Sequence, residues 1–498
     1  MVRAKTMAEL FGLGYGSVQN RTSWHAAKRH KMRRMRLLPA VFFALAIVPA
    51  ALPTQATQEV PFEAGLAEIE ITPPLGYRMD GYFTERLSTG VKDPLMAKAL
   101  VLRQGATKTA LVVCDLLGVP QTLTREVRAR AAARTGIPAE NIAVTATHTH
   151  TGPLFSGERA RIFSELAAAK YGTDPLARIN YVETLRDRLV DVIVAANAAV
   201  SPATLEFVAA SEDRVSFNRR YHLNDGTVAT NPGISNPKIV GPAGPIDPDL
   251  PFILISKEKT PVGSLTVFAM HLDTVGGTEY SADYAGQLAH GLRREFGDRF
   301  ISMFGTGTCG NINHIDVSGT RRYSARLIGE QLAISVLSLR SREPVANSAL
   351  AAASGRVTLP LRKVSDTQIT AARANAPKIG TTDLPFLAQV ETVTTLDLAS
   401  RGPALDTEVQ VFRVNRDLAI VLLPGEIFVE LGLAIKRASP FKHTLVIELS
   451  NDNPAYIPTE KAFKEGGYEP TNSRIEPGGG EQLVAEALRL LKTLQVRD

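Results

Sequence analysis

The segment Thr147-His148-Thr149-His150-Thr151-Gly152-Pro153 sets two imidazoles two residues apart, directly after the apolar run NIAVTAT. In an extended chain residues i and i+2 share a side, and the carboxyl ends of strands are where α/β sheets present ligands. Neutral imidazoles suit zinc, and a catalytic zinc needs three or four ligands with one position open to water. The alternative is a pair of hydrogen-bonded surface histidines. His271 closes a second apolar run, GSLTVFAM, and precedes an acidic, hydroxyl-rich loop. It reads either as a further ligand or as a structural histidine. Glu426, in Pro424-Gly425-Glu426 after the run LAIVLL, can ligate a metal, act as a base, or cap the next helix. Tyr456 stands between Pro454 and Pro458, a setting that usually means core packing.

These residues need strand ends to hold them. Thr109–Leu117 reads as a buried strand, Thr122–Thr135 as a helix and Asn141–Thr147 as a second strand, which together make a βαβ unit. Further helices are expected at Arg178–Ala199, Asp283–Phe296, Arg321–Leu339, Glu430–Ala438 and Gly480–Leu494. Strands are expected at Gly263–Met270, Phe300–Gly305, Val409–Val414, Leu418–Leu423 and His443–Leu449. The Gly- and Pro-rich stretches Asn231–Pro251 and Ser473–Gly480 read as long loops, which in compact domains are often functional. The expected fold class is α/β: a single large mixed-sheet domain, residues 59–498, with helices packed on the sheet.

The charge of +6 on 498 residues points at first to an acidic partner such as nucleic acid. Its distribution removes that reading. Residues 1–36 hold nine Lys or Arg and one Glu, a net of +8, which leaves 47 basic against 49 acidic residues in the remainder. The basic cluster runs into the uncharged stretch Leu37–Leu52, which Pro39 and Pro49 interrupt and which falls short of the ~20 residues that span a bilayer. Residues 1–58 are therefore expected to be an N-terminal extension and secretion signal, with Met32 or Met35 as an alternative start. Export to a periplasmic or extracellular space follows, and an uncleaved membrane anchor is the lesser alternative. Nucleic-acid binding loses its support. Two cysteines, Cys114 and Cys309, exclude a disulfide scaffold or a cysteine-rich metal module, and the sequence does not decide whether they pair.

Taken together and in order, these segments resemble the neutral/alkaline non-lysosomal ceramidase family of zinc-dependent amidases. The resemblance runs from about Glu63 to Leu494. It includes Ala64–Pro73, Thr89–Leu95, the THTHTGP segment, Phe217-Asn218-Arg219-Arg220, the block from His271 to Gly286, LPGE and Ser450–Thr459. The resemblance implies a ceramidase-like zinc site built from His148, His271, Glu426 and Tyr456. It also implies that His150 and Arg219 assist at the substrate carbonyl, with Tyr456 donating to the oxyanion. Zinc lowers the pKa of bound water toward about 7, and hydrogen-bonding groups stabilise the developing oxyanion.

Two departures stand beside the likeness. The family's catalytic serine is expected where this chain has Asn313, and its following proline where the chain has His314. An asparagine cannot become an alkoxide, though its amide can orient substrate or donate to an oxyanion. The family's immunoglobulin-like domain also has no counterpart before Asp498. The expectation is an exported zinc amidohydrolase that cleaves a linear amide, with N-acyl lipids such as ceramide as first substrates. The alternatives are a zinc esterase or amidase with another substrate, and a non-catalytic relative that binds lipid or glycan. The expected partners are a small-molecule or lipid substrate and peripheral contact with a membrane.

Overall fold

The computed structural model describes residues 62–320, 323–339, 341–346 and 348–496, all within one compact unit. The expected leader lies outside the described residues. The fold is mixed α/β without a barrel, and most strands fall into three larger sheets. The first runs Ile142–Ala146, Thr107–Cys114, Met96–Gln104, Glu63–Glu70, Ser201–Pro202. The second runs Ile301–Thr306, Thr260–Phe268, Asp249–Lys257, Thr204–Ser211, Glu343–Pro344. The third runs Ser348–Pro360, Ala404–Asn415, Leu418–Leu422, His443–Ile447.

Each larger sheet has one parallel pair, and its other neighbours are antiparallel. The parallel pairs are Thr107–Cys114 with Ile142–Ala146, Thr260–Phe268 with Ile301–Thr306, and Leu418–Leu422 with His443–Ile447. The first contains the expected βαβ unit, with Gln121–Thr135 as its helix. Parallel strands buried on both faces need apolar residues in both phases of the two-residue alternation. Leu111 and Val113 accordingly enter one core while Ala110, Val112 and Cys114 enter another. Leu418, Ile420 and Leu422 likewise point away from Ala419 and Val421.

One of these cores is common to all three sheets, joining Leu100 and Val113 to Ile253 and Val267 and to Ile420 and Ile447. The remaining faces are covered by helices. Gln121–Thr135 and Tyr181–Ala198 cover the first sheet, Asp283–Phe296 and Ala325–Ser338 the second, and Val429–Ala438 and Gly479–Leu494 the third. No helix among the described residues is long and apolar enough to cross a membrane.

Several strands were not legible as strands. Glu63–Glu70 (EAGLAEIE) has weak β-formers and acquires its conformation by pairing along its whole length with Met96–Gln104. The segment 231–251, expected as a loop, carries the strand Ile239–Pro242 and the start of Asp249–Lys257. Ile447 is fully buried in the shared core and is followed at once by residues of the site. Ile447→Ala is expected to cost about 2–5 kcal/mol and Ile447→Val about 0.5–1.5 kcal/mol, read from equilibrium urea denaturation. Equal midpoints for both variants and the parent would show that the sheets do not share this core.

Candidate active site

The three parallel pairs end at the same place. In each pair one strand leads to a chemically competent side chain and its neighbour leads to the group that supports it. Ile142–Ala146 leads to His148, and its neighbour leads to Leu117, whose carbonyl accepts from His148 Nδ1 at 2.7 Å. Thr260–Phe268 leads to His271, and its neighbour leads to Cys309, whose carbonyl accepts from His271 Nδ1 at 2.9 Å. Leu418–Leu422 leads to Glu426, and its neighbour leads to Glu448, which accepts from the Ile427 amide at 2.6 Å. Cross-links hold the ends together. Thr306 Oγ1 donates to the Thr147 carbonyl at 2.8 Å, Thr145 Oγ1 to the Glu448 carbonyl at 2.9 Å, and the Gly310 amide to the Ile427 carbonyl at 2.8 Å.

A carbonyl oxygen can only accept, so both Nδ1 atoms carry the proton and both Nε2 atoms present a lone pair. These lone pairs converge on Glu426. Its Oε2 lies 3.3 Å from His148 Nε2 and 3.4 Å from His271 Nε2. All three atoms are buried and make no hydrogen bond. Zinc with nitrogen or oxygen ligands at 2.0–2.1 Å in a tetrahedron has ligand–ligand edges of about 3.3–3.4 Å. The separations therefore fit such an ion, and the donor set fits its chemistry. Nitrogen atoms of His148, His150 and His271 also lie within 4.8 Å of one another.

The expectation that the His-x-His pair lies on extended chain is corrected by the structure. The strand ends at Ala146, and His148 has a left-handed backbone with φ 71°. The rings converge nonetheless, with centroids 5.0 Å apart and nearly perpendicular. His150 makes no hydrogen bond through either ring nitrogen. Its backbone is held by Arg86, which donates to its carbonyl at 2.8 Å, and by Gly81 at φ 101°, where a Cβ would stand 2.6 Å from the His150 Cα. Burial and the neighbouring His148 keep His150 well below the usual imidazole range.

Tyr456 and Arg219 form a second tier. Arg219 is buried and donates from Nη2 to the Tyr456 hydroxyl at 3.0 Å and to the Gly310 carbonyl at 2.7 Å. Its Nε reaches Glu469 Oε1 at 2.9 Å. Glu469, fully buried, also accepts from Arg220 at 3.2 Å and from Thr230 at 2.7 Å. Arg219 thus touches the site through Tyr456. Asn313 is fully buried beside Phe217, donates from Nδ2 to Asn231 at 2.9 Å and accepts from the Ile315 amide at 3.0 Å. His314 pairs with Asp273 at 3.1 Å. Cys114 and Cys309 are both free, buried thiols.

Sequence reading passed over Glu448 and Glu469. Glu448 follows the apolar strand His443–Ile447, and a carboxylate ending such a run is a signal that it has buried partners. Burial pushes its carboxyl up to about 8, and it accepts from Cys309 Sγ at 3.1 Å. Glu469 lies in a short helix and carries no comparable signal.

A cavity of about 400 Å³ opens onto His148, His150, Glu426 and Tyr456, while Arg219, His271 and Asn313 stand behind its lining. Residues 62–306 match the family described as neutral/alkaline non-lysosomal ceramidase, N-terminal. Over this stretch, about half of its length, the chain follows that family's pattern. His148, His150, Arg219 and His271 lie within the match, and Asn313, Glu426 and Tyr456 lie beyond it. A neutral ceramidase of Pseudomonas aeruginosa is 26% identical over 291 residues, covering 55% of this chain and 40% of that relative's length. The crystal structure of neutral ceramidase from Pseudomonas aeruginosa shares the fold, with a TM-score of 0.67 at 20% identity over 88% of this chain and 76% of that one. A ceramidase complexed with C2 superposes similarly, with a TM-score of 0.64 at 19% identity over 88% and 77% of the two chains.

Glu469→Ala is expected to leave two buried guanidinium groups short of a partner and to cost about 3–5 kcal/mol. Thermal and urea unfolding read this cost. An unfolding midpoint equal to that of the parent would show the network to be dispensable.

Proposed function

We propose that the protein is an exported, zinc-dependent hydrolase of linear N-acyl amides, with ceramide the first lipid to test. The observation that carries this reading is the convergence of three buried, unpartnered acceptor atoms of His148, His271 and Glu426 at zinc-like spacing. The family match supports amide hydrolysis, and the cavity in front of these atoms leaves room for a substrate. Export rests on the basic and apolar leader of the sequence alone.

His148, His271 and Glu426 would hold the metal, with Tyr456 beside them. When bound, zinc supplies a Lewis acid and lowers the pKa of a coordinated water. The other steps belong to the chain. His150, with both ring nitrogens free of hydrogen bonds, is placed to accept a proton from the attacking water and return it to the leaving amine. The Tyr456 hydroxyl, held by Arg219, can donate to the oxyanion as the carbonyl becomes tetrahedral. Leu117 and Cys309 keep the ring tautomers correct throughout.

Asn313 favours a water-dependent route over a covalent acyl-enzyme. Its side chain has no nucleophilic atom, and both ends of its amide are engaged by Asn231 and Ile315. That also favours a zinc amidase or esterase whose substrate differs from ceramide.

The protein is expected to bind about one zinc per chain, measured by elemental analysis after dialysis. Hydrolysis of an N-acyl amide panel is expected to disappear on chelation, to return with zinc, and to be lost in His148→Ala. No bound metal after reconstitution at neutral pH would overturn the proposal. Release of fatty acid from a fluorescent ceramide is expected to be slow, and faster in Asn313→Ser. An unchanged rate in that variant would remove Asn313 as the reason.

A further inference from the structure

The cavity in front of the site has two kinds of lining. One part of the lining is aromatic. Phe83, Tyr468 and Tyr456 line the cavity, and Phe386 stands just outside it, edge-on to Phe83 at 5.5 Å and tilted against Tyr468 at 5.4 Å, while Tyr468 meets Tyr456 at 5.3 Å. Phe386 is 53% exposed, so this run of rings leads from the surface to Tyr456.

The other part is charged. Asp397 accepts from Arg474 Nε at 2.8 Å and from Arg401 Nε at 3.0 Å, so two guanidinium groups share one carboxylate. Arg474, itself buried, also donates from Nη1 to Asn472 at 2.7 Å. Among the described residues no hydrogen bond reaches Arg474 Nη2 or either Nη of Arg401. Both arginines line the cavity. The other charges of the lining are accounted for separately. Asp80 is paired with Arg159 at 2.5 Å, and Glu158 with Arg161. Asp452 accepts from the amides of Gln121 and Asn453, and Glu426 faces the imidazoles of His148 and His271.

The lining therefore holds Arg401 and Arg474 on one carboxylate, with the Nη pair of Arg401 free of hydrogen bonds, in the same cavity as an aromatic track that ends at the site. A free fork in a partly desolvated cavity is a carboxylate receptor, because two parallel N–H groups match two carboxylate oxygens. We propose that the substrates are N-acyl amino acids, with the carboxylate held by Arg401 and Arg474 and the acyl chain lying on Phe83, Phe386 and Tyr468. This rests on the amide-hydrolase reading above and narrows its substrate class. The reaction is R–CO–NH–CHR′–COO⁻ + H₂O → R–COO⁻ + ⁺H₃N–CHR′–COO⁻. The carbonyl C–N bond breaks, a C–O bond forms from water, and the water protons go to the leaving nitrogen.

The test compares N-hexanoylglycine with N-hexanoylethanolamine, which differ in the carboxylate. For the zinc-loaded protein kcat/KM is expected to favour the glycine conjugate by about tenfold or more, the weight of one charge-assisted hydrogen bond. In Arg401→Ala that ratio is expected to fall toward one, and Arg401→Lys should retain part of it. Calorimetry on the metal-stripped protein gives a second readout. N-hexanoylglycine should bind the parent and bind Arg401→Ala about tenfold or more weakly, at an unchanged unfolding temperature. A ratio near one in the parent, or ceramide cleaved faster than the glycine conjugate, overturns this proposal and leaves amide hydrolysis standing. Arg401-dependent binding without hydrolysis of either amide overturns amide hydrolysis and supports the receptor.

Discussion

A buried carboxylate oxygen faces two imidazole lone pairs across gaps of 3.3 and 3.4 Å, with no hydrogen bond between them. Acceptors do not gather in a protein interior unless a cation joins them, because each has given up water and gained no partner. Much of the fold can be read as the means of keeping these three atoms together. Each comes from a different sheet, and each follows the end of a strand in a parallel pair. A parallel pair delivers two chain ends to the same edge. One can carry the ligand while the other carries the group that fixes the ligand's orientation.

The shared core explains why this arrangement is rigid. Strands from all three sheets bury alternate residues in one cluster, so their ends cannot move independently. Polar links then tie the ends across the sheet boundaries, from Thr306 to Thr147, from Thr145 to Glu448 and from Gly310 to Ile427. Behind them lie two buried carboxylates with different tasks. Glu448 joins the Cys309 loop to the Glu426 loop, and Glu469 holds Arg219, which positions Tyr456, together with Arg220. A hydrogen-bond network of this kind is stable only when each member is satisfied, which makes its far members as necessary as the near ones.

The centre and its surroundings answer to different demands. His148 and His271 lie in the segment that matches the family, and the fold superposes on neutral ceramidase structures. Asn313 stands in the short strand Ile312–Asn313 where a serine was expected, and the 397–401 and 472–474 segments bring arginine and aspartate to the cavity. Fold and centre can therefore be shared while the substrate differs.

The sequence alone determined the three apolar strands that precede His148, His271 and Glu426, the helices Asp283–Phe296 and Gly479–Leu494, and the family resemblance. These features are local: a run of β-branched residues or an amphipathic repeat is present in the chain before it folds. It also marked Tyr456 through the motif it belongs to, although the residues around it pointed to packing. Only the tertiary structure decided which atoms of those residues face one another. The ring tautomers depend on the Leu117 and Cys309 carbonyls, 31 and 38 residues away in the chain. Arg219 reaches Tyr456 across 237 residues, and Glu469 meets Arg219 across 250. The sharing of Asp397 by Arg401 and Arg474 likewise joins residues 77 apart. Such pairings leave no trace in local periodicity, because their energy comes from excluding water when distant segments pack together.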